Sequence, residues 1–134
     1  MRLKTAGEET EFHDVDFGLQ QMLLFMDAYS QHFFQVELVV TELIRTDAEQ
    51  DSIYGDDPEY QADPWKSYHQ FKRAADLRYN LTFEQWTELL TMAERLFEVP
   101  YDVFYVVHVP NNPDGWTPHV HIEIRVPYSE EMFA

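Results

Sequence analysis

The sequence predicts an α+β fold, a mostly antiparallel sheet with helices packed on it, and three observations carry that reading. Two stretches repeat apolar residues at helical spacing. Several shorter stretches are β-branched or alternate apolar with polar residues. The last two of these are joined by a segment dense in turn formers. With 134 residues, 45% apolar and 16% aromatic, the chain can bury a core as one domain. That domain is expected over 11–128, with flexible ends at 1–10 and 129–134.

The first helix is expected over 16 to about 34, where Leu19, Met22, Leu23, Met26, Tyr29 and Phe33 share a face. The β-branched run 36–41 reads as a strand. Residues 45–68 are rich in Asp and Glu, with Gly55, Pro58 and Pro64. They read as a long acidic loop, either a lid over a site or a surface insertion. Residues 74–79 suit a short strand. Thr82 and Gln85 then form a capping-box pair. The helix they open carries the stripe Phe83, Trp86, Leu89, Leu90, Ala93, Leu96 and Phe97, and Pro100 ends it. Strands over 101–109 and 119–126 follow. In the second, Val120, Ile122, Ile124 and Val126 face one side, and His119, His121, Glu123 and Arg125 the other.

Composition narrows the function. Nine basic against 25 acidic residues give a formal charge of −16, which phosphate backbones and anionic membranes repel. No nucleic-acid or membrane partner is expected. The absence of cysteine leaves His, Asp and Glu as the ligands of any metal site. The N-terminal residues lack the apolar core of a secretory signal, and no run approaches the roughly 20 apolar residues of a membrane span. Synthesis in the cytoplasm is expected, so that a cell-wall substrate would be reached only through lysis or a helper pore.

Two motifs carry chemistry. In His119-Val120-His121, strand alternation puts both imidazoles on one face; alone, this also fits two solvent-exposed histidines. In Ser67-Tyr68-His69-Gln70-Phe71-Lys72-Arg73-Ala74-Ala75-Asp76, seven positions separate His69 from Asp76. A helix would hold them roughly 10 Å apart along its axis, too far for one zinc ion, whose ligands lie at about 2 Å. To share a metal, the segment must bend, with His69 on a turn and Asp76 on the next strand.

Together, and in this order, the two motifs resemble those of the D-Ala-D-Ala carboxypeptidase and L-alanyl-D-glutamate endopeptidase family of zinc metallopeptidases, phage endolysins among them. The hedgehog signalling domain shares that fold. The resemblance spans roughly 36–126 and implies Zn²⁺ held by His69, Asp76 and His121. It implies that His119 lies beside the metal to contact substrate or oxyanion, that Arg45 holds a substrate carboxylate, and that Ser67 hydrogen-bonds behind a ligand. The implied substrate is the stem peptide of peptidoglycan. The chain departs from the family at Pro118, where many members carry the Asp or Glu that serves as general base. Asp114, in the loop before it, is the catalytic carboxylate left by elimination. Glu123 shares the face of His121 but lies farther along the strand, and is better placed to orient a ligand.

Three readings follow: a zinc peptidase of the cell wall, a non-catalytic zinc-binding or virion-structural module of the same fold, and an acidic interaction protein without metal. His108 ends a strand, its side chain alternating with Val107 and Val109, and is expected to be structural or exposed; His13 and His32 lie near the first helix and fit no ligand spacing. Trp65 and Trp116 flank the motifs, as cleft walls or as core.

Overall fold

The computed structural model describes residues 1–4, 11–62, 69, 72–97 and 102–125. In chain order these form β1 (Arg2–Leu3), α1 (Phe17–Phe34), β2 (Val39–Glu42), α2 (Asp47–Tyr54), α3 (Pro58–Ala62), β3 (Ala74–Arg78), α4 (Phe83–Phe97), β4 (Asp102–His108) and β5 (His119–Arg125). The architecture is α+β. The five-stranded sheet has the order β1-β2-β3-β5-β4; β1 and β2 run parallel, and the other neighbours are antiparallel. Arg2 and Leu3, expected to be loose, thus belong to the sheet. Residues 5–10 and 129–134, the remainder of the expected flexible ends, lie outside the described residues, as do Pro100 and Val126.

Each long helix begins where its sequence provides a cap. The Asp16 carboxylate accepts from the backbone N–H groups of Gly18 and Leu19. Thr82 and Gln85 exchange side chain for backbone in the expected box, at 3.0 and 3.1 Å. Leu19, Met22, Leu23 and Met26 of α1 and Trp86, Leu89, Leu90 and Ala93 of α4 are buried against Leu77, Val120, Ile122 and Ile124 of the sheet. Three expected stripe members sit at the rim instead, with Phe33, Phe83 and Leu96 more than half exposed. The two helices pack on each other as well as on the sheet, so positions at the edges of each stripe find no partner.

Residues 45–62 are not the loop their acidity suggested. Thr46 accepts from the Glu49 N–H while the Glu49 carboxylate accepts from the Thr46 N–H, and this capping box opens α2. Only Gln50 of α2 is buried, so little apolar periodicity announces the helix; local capping carries it.

The two long helices, α1 and α4, cover one face of the sheet, and the charged residues occupy the other. Val120, Ile122 and Ile124 are fully buried beneath the histidines of β5. Truncating Ile122 to alanine is expected to cost about 2–5 kcal/mol of stability, read as a lower urea midpoint. An unchanged midpoint would contradict this packing.

Candidate metal centre

The register of the sheet builds the site. Asp76 on β3 pairs directly with His121 on β5, so their side chains leave the sheet side by side. His69 reaches them because the chain turns back before β3. Lys72 takes the left-handed region (φ 61°), and its N–H donates to the His69 carbonyl at 3.2 Å. The Arg45 N–H donates to that same carbonyl, also at 3.2 Å. The bend that the spacing of the first motif required is present.

The three side chains converge. The Asp76 Oδ1 lies 3.1 Å from His69 Nε2 and 2.9 Å from His121 Nδ1. One ligand atom from each residue lies within 4.8 Å of the others, forming a group that can hold a metal ion. His69 is buried, Asp76 is 9% exposed, and the His121 side chain is 18% exposed. The donor set tests well for a divalent cation. Two imidazole nitrogens and one carboxylate oxygen match the three-ligand sites of catalytic zinc, and would suit other first-row metals too.

Each histidine is held from behind. His69 Nδ1 donates to the Leu43 carbonyl at 2.8 Å, and Nε2 is the nitrogen turned toward Asp76. His121 Nε2 donates to Glu123 Oε1 at 2.7 Å, and Arg125 Nε donates to Glu123 Oε2 at 2.8 Å. Such backing fixes tautomer and ring orientation. Replacing Glu123 by glutamine is therefore expected to weaken metal binding about 10–100-fold without removing a ligand, measured by competition with a chelating dye. An unaltered affinity would show that Glu123 does not act on His121.

Without metal, both nitrogens of His121 face carboxylates, so both donate. Burial opposes that charge, but the hydrogen bonds to Asp76 and Glu123 outweigh it and hold the His121 pKa up at about 9. Burial likewise opposes the charge of Asp76, yet its hydrogen bonds to His121 and His69 keep its pKa well below the usual carboxylate range. Glu123 is lowered in the same manner, against its burial, by His121 and Arg125.

The group lies in a cleft of about 490 Å³. Gln50, Ile53 and Tyr54 of α2 line it, which puts part of the acidic segment over the site as a wall. Arg45 lines it too, but it is buried and committed. Its Nε and Nη2 donate to the two Glu42 oxygens at 2.7 and 3.0 Å, and its Nη1 donates to Gln50 at 2.7 Å. A substrate carboxylate would compete with Glu42 for it. Glu42 is on this face because the β2–β3 register slips between Val40 and Glu42. The irregularity turns Glu42 toward Asp76, two residues after the core residue Val40.

His119 lines the cleft at its β5 end. Its Nδ1 donates to the Thr117 carbonyl at 2.6 Å. Asp114 is exposed and stands outside the residues that line the cleft. Ser67 and Trp65 lie outside the described residues. His108, expected to be structural or exposed, lines the cleft as the register partner of His119, and Trp116 lines it at 45% exposure. Strand alternation gave no signal for His108, because β4 lacks the clean two-residue pattern of β5. Its place follows from the pairing of the two strands.

Among the described residues no helix is long and apolar enough to cross a membrane. Comparison with protein-family models, curated proteins and solved structures finds no match for this chain.

Proposed function

We propose that this protein is a zinc-dependent peptidase acting on the stem peptides of peptidoglycan. The observation that carries the reading is the convergence of His69, Asp76 and His121 on one point of an open cleft, each histidine backed by an acceptor of its own. Its motif order resembles the D-Ala-D-Ala carboxypeptidase and L-alanyl-D-glutamate endopeptidase family, phage endolysins among them. His69, Asp76 and His121 would hold the zinc. When bound, zinc supplies a Lewis acid that polarises a carbonyl oxygen and lowers the pKa of water to about 7.

The remaining work falls to the chain's own residues. Glu123 and the Leu43 carbonyl hold the two imidazoles in the ligating orientation. Ile53, Tyr54 and Trp116 give the cleft apolar walls against which the substrate peptide packs. Arg45 steers a substrate carboxylate toward the cleft in exchange with Glu42. Asp114 is the carboxylate proposed to take a proton from the attacking water once the 109–118 loop closes on substrate, and Asp114→Asn tests that role by its turnover.

A second reading, a zinc-binding module that does not hydrolyse, is favoured by Pro118, which has no side-chain base, and by the exposure of Asp114. Zinc-loaded protein incubated with purified cell wall separates the two. Release of new amino termini from stem peptides is expected on the first reading. Stoichiometric zinc with no release would establish the second. Absence of zinc by elemental analysis, even after incubation with the metal, would remove both.

A further inference from the structure

A hydrogen-bond donor aimed at the charge that develops on the carbonyl oxygen speeds amide hydrolysis, in addition to any metal that polarises it. His119 is poorly suited to supply it. Its Nδ1 proton is already given to the Thr117 carbonyl at 2.6 Å, so that N–H is not open to a substrate. The arginines lining the cleft are engaged as well, Arg45 by Glu42 and Gln50 and Arg125 by Glu123.

We propose that His108 is the oxyanion donor of this cleft, acting as a neutral imidazole that presents an N–H to the scissile carbonyl oxygen. The inference rests on the peptidase reading above and adds a catalytic residue to it. His108 lines the cleft, and its ring is stacked on that of His119, with centroids 4.4 Å apart and planes 26° from parallel. It is the diagonal neighbour of His121 across the β4–β5 pair, roughly 7–8 Å away from backbone to backbone. Its ring thus shares the cleft with the His69–Asp76–His121 group.

Among the described residues neither ring nitrogen of His108 has a hydrogen-bond partner, so its N–H is free to turn to a ligand. The Trp116 ring lies 6.1 Å away, tilted by 47°. Asn112 fixes Trp116 by accepting from its N–H at 3.0 Å and donating to its carbonyl at 2.8 Å. Partial burial, and then the neighbouring His119, lower the His108 pKa, against the opposing pull of Asp76 and Asp114. Neutrality suits the role, since a neutral imidazole can polarise a carbonyl without first acquiring a proton.

The test compares His108→Ala with His108→Gln in the zinc-loaded, full-length protein, using purified peptidoglycan as substrate. Alanine removes the donor, and kcat should fall about 10²–10³-fold with KM and zinc content unchanged. Glutamine keeps a neutral N–H and should recover most of the rate, which a proton-accepting or purely structural histidine would not allow. A phosphinate analogue of D-Ala-D-Ala, mimicking the tetrahedral state, should lose affinity in the alanine variant while the product peptide does not. Wild-type turnover in His108→Ala overturns the assignment and leaves the peptidase reading standing. A glutamine variant as inactive as alanine, with fold and zinc intact, also overturns it. Wild-type protein that binds zinc but cleaves nothing ends the peptidase reading and the role of His108 together.

Discussion

Asp76→Ala should leave a folded chain that no longer retains metal. Asp76 Oδ1 is the common neighbour of both imidazoles, at 3.1 and 2.9 Å, and it is the only anionic member of the group. Its loss leaves two imidazoles, an incomplete set for zinc. The fall in affinity should exceed the roughly 10–100-fold typical of changing a residue that only hydrogen-bonds a ligand. His69→Ala should behave alike, because the ring is buried and its Nε2 stands 3.1 Å from Asp76 Oδ1 within the group. The β3–β5 pairing does not depend on either side chain, so far-ultraviolet circular dichroism should be preserved. Elemental analysis after metal incubation and desalting reads the result: one equivalent for the parent chain, none for the variants. A variant still holding one equivalent would place the metal elsewhere.

The pH dependence of the metal-free and metal-loaded forms should run in opposite directions. In the metal-free protein the His121 pKa is raised to about 9, its burial outweighed by hydrogen bonds to Asp76 and Glu123. A pKa raised above the unfolded value means that the proton stabilises the fold. This contribution is fully present below about pH 6.5, the ordinary histidine value, and is lost as pH rises through about 9. Metal capture has the opposite sign. The ligating nitrogen of His121 must give up its proton, so apparent affinity should rise about tenfold per unit from about pH 7 to about pH 9, with close to one proton released per metal. Asp76 and Glu123, both held below the usual carboxylate range, stay charged throughout that window and add no slope. Titration calorimetry in buffers of different ionisation enthalpy counts the proton. An affinity that stays level across the window would show that His121 is not a ligand.

The amino-acid sequence by itself determined the local parts of this molecule. The helix over Phe83–Phe97 was legible because Thr82 and Gln85 cap it and Trp86, Leu89, Leu90 and Ala93 repeat at helical spacing. The two faces of β5 were legible because strand alternation sorts Val120, Ile122 and Ile124 from His119, His121 and Glu123. The donor types were legible as well, since a chain without cysteine leaves only His, Asp and Glu, and the spacing of His69 and Asp76 demanded a bend. The Thr46–Glu49 capping box was present in the sequence too, but an acidic segment with little apolar periodicity concealed the helix it starts.

Pairing across the sheet was decided only by the tertiary structure, because register links residues far apart in the chain and leaves no periodic trace in either strand. It set Asp76 beside His121, 45 residues away, and His108 beside His119. The β2 irregularity brought Glu42 onto Arg45 and turned an apparently free arginine into a buried, bonded one. The partner of His69 Nδ1 was the least legible of all. It is the backbone carbonyl of Leu43, a group that every residue carries and that only the folded path of the chain can aim.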